Sequence, residues 1–175
     1  ILRIDRPVPA DIGGPRPARA DVARRGRYSV SVDLKNLQGV ETILRLAKNA
    51  DAILDPFRPG VTERLGLGPD DVFARNKRII YGRMTGWGQD GPLGQAAGHD
   101  LNYLAITGVL NAIGPKEMPV PPLNVVADMG GRGLGVDGVE AGATAATTVN
   151  GLQIGGPPWP SNLQNITKKT SKCIL

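Results

Sequence analysis

The sequence predicts an α/β fold built on a parallel sheet, on two observations. Short apolar or period-two runs alternate with segments of helical periodicity from residue 28 to residue 84, and the helical segments are long enough to be crossovers between parallel strands. Ile1-Leu2-Arg3-Ile4-Asp5 alternates as a strand, and Pro7 to Arg27 reads as a long arginine-rich loop. Tyr28-Ser29-Val30-Ser31-Val32-Asp33 alternates again, a second strand. From Asn36 to Asn49 the apolar residues Leu37, Val40, Ile43, Leu44 and Ala47 share one face of a helix.

Ala52-Ile53-Leu54 is a short buried strand, closed by Asp55-Pro56-Phe57-Arg58-Pro59-Gly60. A short helix over Val61 to Leu65 stops at Gly66 and Gly68. Pro69 opens another that runs from Asp70 to about Arg75, with its acidic residues in the first turn. Arg78 to Met84 holds the strand Ile79-Ile80-Tyr81. Thr85 to Pro92 is too glycine-rich for an element and leads to His99. Asp100 reads as the cap of a helix over Leu101 to Leu110, with Leu104, Val109 and Leu110 facing the core. Pro119, Pro121 and Pro122 then deliver the chain to Leu123-Asn124-Val125-Val126-Ala127-Asp128. Beyond Gly131 neither periodicity persists, so 132–175 reads as an irregular or disordered tail after an α/β domain over 1–131.

A chain of 175 residues with 41% hydrophobic and 21% charged side chains has the composition of a water-soluble globular domain. The net charge of +5 owes much to Arg3, Arg6, Arg16, Arg19, Arg24, Arg25 and Arg27. This cluster lacks interleaved aromatics and any zinc or helix-turn-helix signature, which argues against a nucleic-acid partner. A small phosphorylated ligand needs only a few guanidinium groups. One cysteine, Cys173, excludes an internal disulfide and fits a reducing compartment, the cytoplasm or, in a eukaryote, the peroxisome or mitochondrion. No run of about 20 apolar residues is present for a membrane span.

The glycine motifs do not carry a nucleotide site by themselves. Gly86-Trp87-Gly88-Gln89-Asp90-Gly91 has G-x-G-x-x-G spacing after a strand, but Pro92-Leu93-Gly94-Gln95 does not open a helix. One histidine and one cysteine give no metal-ligand cluster. What remains is His99, the only histidine, in Gly98-His99-Asp100-Leu101-Asn102-Tyr103, and downstream Asp128, at the end of an apolar run beside Gly130-Gly131. An imidazole and a carboxylate at the edges of structured elements can move a proton at neutral pH.

Seven segments in order resemble the family III CoA-transferase (CaiB/BaiF) superfamily, and within it the α-methylacyl-CoA racemases. They are Ile4-Asp5-Arg6-Pro7, Asp33-Leu34-Lys35, Pro56 to Val61, Glu63 to Pro69, Arg83 to Gln89, Ala97 to Tyr103 and Pro122 to Asp128. The resemblance implies the Rossmann-like large domain of that fold. It also implies inversion at the carbon beside the thioester of a 2-methyl-branched acyl-CoA, by two-base proton transfer through an enolate-like intermediate. His99 and Asp128 would be the two bases, Asp128 needing an environment that raises its pKa. Backbone amides near Asp128-Met129-Gly130 would face the oxyanion. The coenzyme A portion would meet Arg6, Asp33, Leu34, Lys35, Arg58 and Arg64, with Asp100 and Tyr103 toward the thioester. No metal or redox cofactor is required, coenzyme A being part of the substrate.

Family members form homodimers, which is the expected assembly of a complete protein. The strand and helix that begin the family's fold are not found before Ile1. Arg132-Gly133-Leu134-Gly135-Val136-Asp137-Gly138 cannot make the apolar helix that the family carries at this point. The expectation is a fragment of the large domain whose last segment is out of frame or aberrantly joined. A CoA transferase of the same superfamily, with a carboxylate nucleophile, and an inactive CoA-binding or dimerising remnant are the alternatives.

Overall fold

The computed structural model describes residues 1–8, 25–123, 127, 148–149, 152–155 and 173–174. In chain order the elements are β1 (Leu2–Asp5), β2 (Tyr28–Ser31), α1 (Leu37–Ala47), β3 (Ala52–Asp55), α2 (Val61–Arg64), α3 (Pro69–Arg75), β4 (Ile80–Met84), α4 (Asp100–Ile106), α5 (Val109–Ala112), β5 (Thr148–Val149), β6 (Leu152–Gly155) and β7 (Cys173–Ile174). The chain divides into two compact units. The first comprises residues 1–55, 60–81 and 156–175, and the second residues 56–59 and 82–155.

The first unit is the α/β layer that the sequence predicts. Its strands run in the order β2-β1-β7-β3-β4. β1 pairs in parallel with β2, Leu2 opposite Tyr28 and Asp5 opposite Ser31. β7 lies between β1 and β3, parallel to both, with Ile174 opposite Leu2 and Ile53. The chain thus passes from β1 outward to β2 and then, through α1, back across β1 to β3 on the other side, a reversal of direction that makes the topological switch of an open α/β sheet.

The hydrophobic core joins sheet and helices through Val32, Ile43, Leu44, Ala47, Ala50, Ile53, Leu67, Val72, Ile79 and Tyr81. The apolar spacing within 36–49 buries Ile43, Leu44 and Ala47 of α1, while Asn36 Oδ1 accepts from the Gln38 N–H at 2.9 Å and caps its start. Past its other end, Asn76 Nδ2 donates to the carbonyls of Ala47 and Ala50 at 3.0 and 2.9 Å, the first of which also accepts from the Ala50 N–H at 3.1 Å. Asn76 Oδ1 accepts from the Arg78 N–H at 3.0 Å, so one side chain closes α1 and sets the entry to β4. The buried Asp55 carboxylate, at the end of β3, accepts from Thr62 Oγ1 at 2.7 Å. The Tyr81 hydroxyl donates to the Leu67 carbonyl at 2.9 Å and lies 3.4 Å from Asp55 Oδ2.

The second unit begins in β4, whose Gly82 to Met84 belong to it, and holds α4, α5 and the antiparallel pair β5–β6, with Thr148 opposite Gln153. The single helix expected over 101–110 is two short ones. Gly108 adopts φ 78°, a left-handed conformation that ends α4 and starts α5. Leu104 is buried as expected, but Val109 is 37% exposed, because the break turns α5 away from the helical register that would have placed it inward. Within 132–175 the described residues are the strands β5, β6 and β7; the rest of that segment lies outside the described residues.

Candidate functional site

His99 stands where a glycine-rich loop turns into α4. Its backbone is extended, φ −138° and ψ 176°, and it is the N-cap of that helix. The Asn102 side chain reaches back and accepts from the His99 N–H at 3.0 Å, and the His99 carbonyl accepts from the Asn102 and Tyr103 N–H groups at 2.9 and 3.3 Å. Backbone donor and acceptor are thus held locally, while the imidazole side is exposed. That combination gives a fixed main chain and an imidazole that faces solvent.

Capping was expected of Asp100, and the structure corrects this. His99 occupies the cap position and Asp100 is the first residue inside the helix, 2% exposed. Its Oδ2 accepts from the Ala127 N–H at 2.9 Å. A carboxylate withdrawn from water needs such donors, and this one comes from 27 residues along the chain.

Gly86 and Gly98, to which the sequence assigns no separate role, make room for a pair of aromatic rings. Trp87 and Tyr103 pack edge to face with centroids 4.8 Å apart. A Cβ on Gly98 would come within 2.8 Å of both rings, and one on Gly86 would collide with the Tyr103 hydroxyl. The Trp87 indole N–H also donates to the Ala97 carbonyl at 3.4 Å. The only signal available beforehand was the pairing of small residues with aromatics on either side of His99. In the same unit Gln95 Nε2 donates to the Pro59 carbonyl at 3.1 Å, tying the segment that carries exposed Arg58 to the loop that leads to His99.

Arg6, Asp33, Leu34, Lys35 and Arg64 lie in the first unit. Arg6 follows β1, and Asp33-Leu34-Lys35 follows β2. The Val32 N–H donates to the Asp5 carbonyl at 2.9 Å, so the two segments leave the sheet side by side at the C-terminal ends of parallel strands. Open α/β sheets receive ligands at such an edge, beside the switch point. Asp33 Oδ1 accepts from the Lys35 N–H at 2.9 Å, which shapes the loop, while Leu34 is half-buried against the core. Gly39 in α1 makes this possible, since a Cβ there would fall on the Asp33 carbonyl. A glycine inside a helical pattern was the cue. Exposed Arg64 is the last residue of α2, its guanidinium close to Gly60. Asp128 and the amides at 128–130 lie outside the described residues.

The first unit by itself defines a class of fold, an open α/β layer with basic residues beside the C-terminal ends of parallel strands, where such sheets receive ligands. Comparison with known proteins makes this specific. The profile of CoA-transferase family III matches residues 5–150, and the chain belongs to that family. It is 50% identical over 111 residues to α-methylacyl-CoA racemase of Mus musculus, covering 63% of this chain and 29% of the relative. With the Homo sapiens racemase it shares 45% over 137 residues, 77% of this chain and 34% of the relative. The crystal structure of Rv3272 from Mycobacterium tuberculosis superposes with a TM-score of 0.66 at 36% identity, over 80% of this chain and 41% of that one. That protein is named a probable fatty acyl-CoA transferase. The chain spans about a third of the length of the curated racemases it matches. Among the described residues, no helix is long and apolar enough to cross a membrane.

Proposed function

We propose that this chain carries the proton-transfer half of a racemase acting on 2-methyl-branched acyl-CoA thioesters. The carrying observation is His99, held by its backbone at the start of α4 with its side chain exposed, in a chain 45 to 50% identical to two racemases. The thioester carbonyl acidifies the neighbouring C–H. Neutral His99 removes the proton from one face, leaving an enolate-like intermediate, and protonated Asp128 delivers a proton to the other face. For the reverse inversion the roles exchange. Arg6, Lys35, Arg58 and Arg64 supply positive charge for the phosphates of coenzyme A, and Tyr103 stands toward the thioester.

The test is deuterium incorporation at C2 of a 2-methylacyl-CoA in D₂O, followed by NMR. The expected result is uptake of one deuterium with inversion, lost in both His99→Ala and Asp128→Ala. A folded protein that takes up no deuterium ends this reading and leaves a CoA-binding remnant. The mycobacterial relative favours a second reading, transfer of coenzyme A between acids, in which Asp128 is the nucleophile and His99 dispensable. Transfer of CoA to an added acid, retained in His99→Ala, would establish it.

A further inference from the structure

We propose that Asp100 is a positioning residue, whose buried carboxylate ties the backbone immediately before Asp128 to the helix immediately after His99. The inference rests on reading His99 and Asp128 as the two bases. Asp100 adjoins the first of them and its hydrogen-bond partner Ala127 adjoins the second. At 2% exposure Asp100 has little surface left with which to meet a thioester. Its Oδ2 instead accepts from the Ala127 N–H at 2.9 Å, a charge-assisted bond of defined direction across 27 residues.

On the two-base reading, Asp100 holds Ala127, the chain neighbour of one base, to the helix that starts at the other, and a misplacement of about 1 Å can cost on the order of 10²-fold in rate.

The experiment combines hydrogen exchange of the Ala127 amide with deuterium uptake from each enantiomer of a 2-methylacyl-CoA, measured separately in the parent, Asp100→Ala, Asp100→Asn and Asp100→Glu. In Asp100→Ala the Ala127 amide should lose at least about tenfold in protection, as expected when a hydrogen bond to a charged group is removed. Inversion should fall by about 10²-fold while KM moves less than about threefold. Uptake without inversion should persist from the enantiomer whose proton faces His99.

Asp100→Asn keeps an oxygen acceptor in place and should restore most of both readouts. Asp100→Glu keeps the charge but moves it by one methylene, and it should behave like Asp100→Ala even if the alanine variant does not fold. Unchanged Ala127 exchange in Asp100→Ala and Asp100→Glu overturns the clamp. So does loss of protection with inversion intact, or an equal loss of uptake from both enantiomers. A folded parent that exchanges neither enantiomer refutes the two-base reading instead, and the positioning role falls with it.

Discussion

At the scale of single residues, three side chains separate what the sequence could disclose from what it could not. His99 was legible because it is the only histidine and stands between a glycine loop and an apolar helix. Asp100 was not. A carboxylate at a helix start serves equally well as a cap or as a buried acceptor, and its partner lies 27 residues away. Nor was Gly98, whose need to be glycine comes from two rings that converge on it only in the fold. Gly98→Ala must push Trp87 and Tyr103 apart, and overpacking of this kind costs about 1–3 kcal/mol. The expected outcome is a lower urea midpoint, with weaker edge-to-face coupling visible as a shift of the Tyr103 ring resonances. Asn76→Ala withdraws a donor from two carbonyls at once, and urea titration should show a loss of about 1–3 kcal/mol.

Among elements, α1 and α3 meet through both an ion pair and apolar packing, and magnitude decides which matters. Arg75 and Glu41 bond through both guanidinium nitrogens, at 3.2 and 2.8 Å, but the two side chains are nearly half exposed. Arg75→Ala is therefore expected to lower stability by less than about 1 kcal/mol, and less still in high salt. Ile79, fully buried just before β4, should cost about 2–5 kcal/mol on truncation to alanine. Chemical denaturation of the two variants side by side checks the ranking; an equal loss would show that the exposed ion pair counts for as much as burial in the core. The longest helix was legible because eleven residues display several turns of periodicity. The strands β5, β6 and β7 were not, since β5 and β7 are two residues long and the four of β6 stand between Gly151 and Gly156 in a segment rich in turn formers. The division of α4 from α5 hung on one glycine at positive φ, which in sequence is only a small residue between apolar ones.

For the whole molecule, the parallel sheet of the first unit was readable from the order of strands and helices, but the position of β7 between β1 and β3 was not, because it pairs residues more than a hundred positions apart. Deleting residues 173–175 exposes the facing edges of β1 and β3. The expected result is a broadened thermal transition and binding of a hydrophobic dye at temperatures where the parent chain binds none. An unchanged transition would mean that β1 and β3 hold without their intervening strand. The same arrangement also has a consequence in time. Synthesis proceeds at roughly 5–20 residues per second, so β1 and β2 emerge from the ribosome many seconds before the strand that joins them to β3 exists. Through that interval the nascent chain carries two half-sheets with open edges facing each other. Closure of this sheet waits on β7, and until then the edges of β1 and β3 stay open to pairing with other chains.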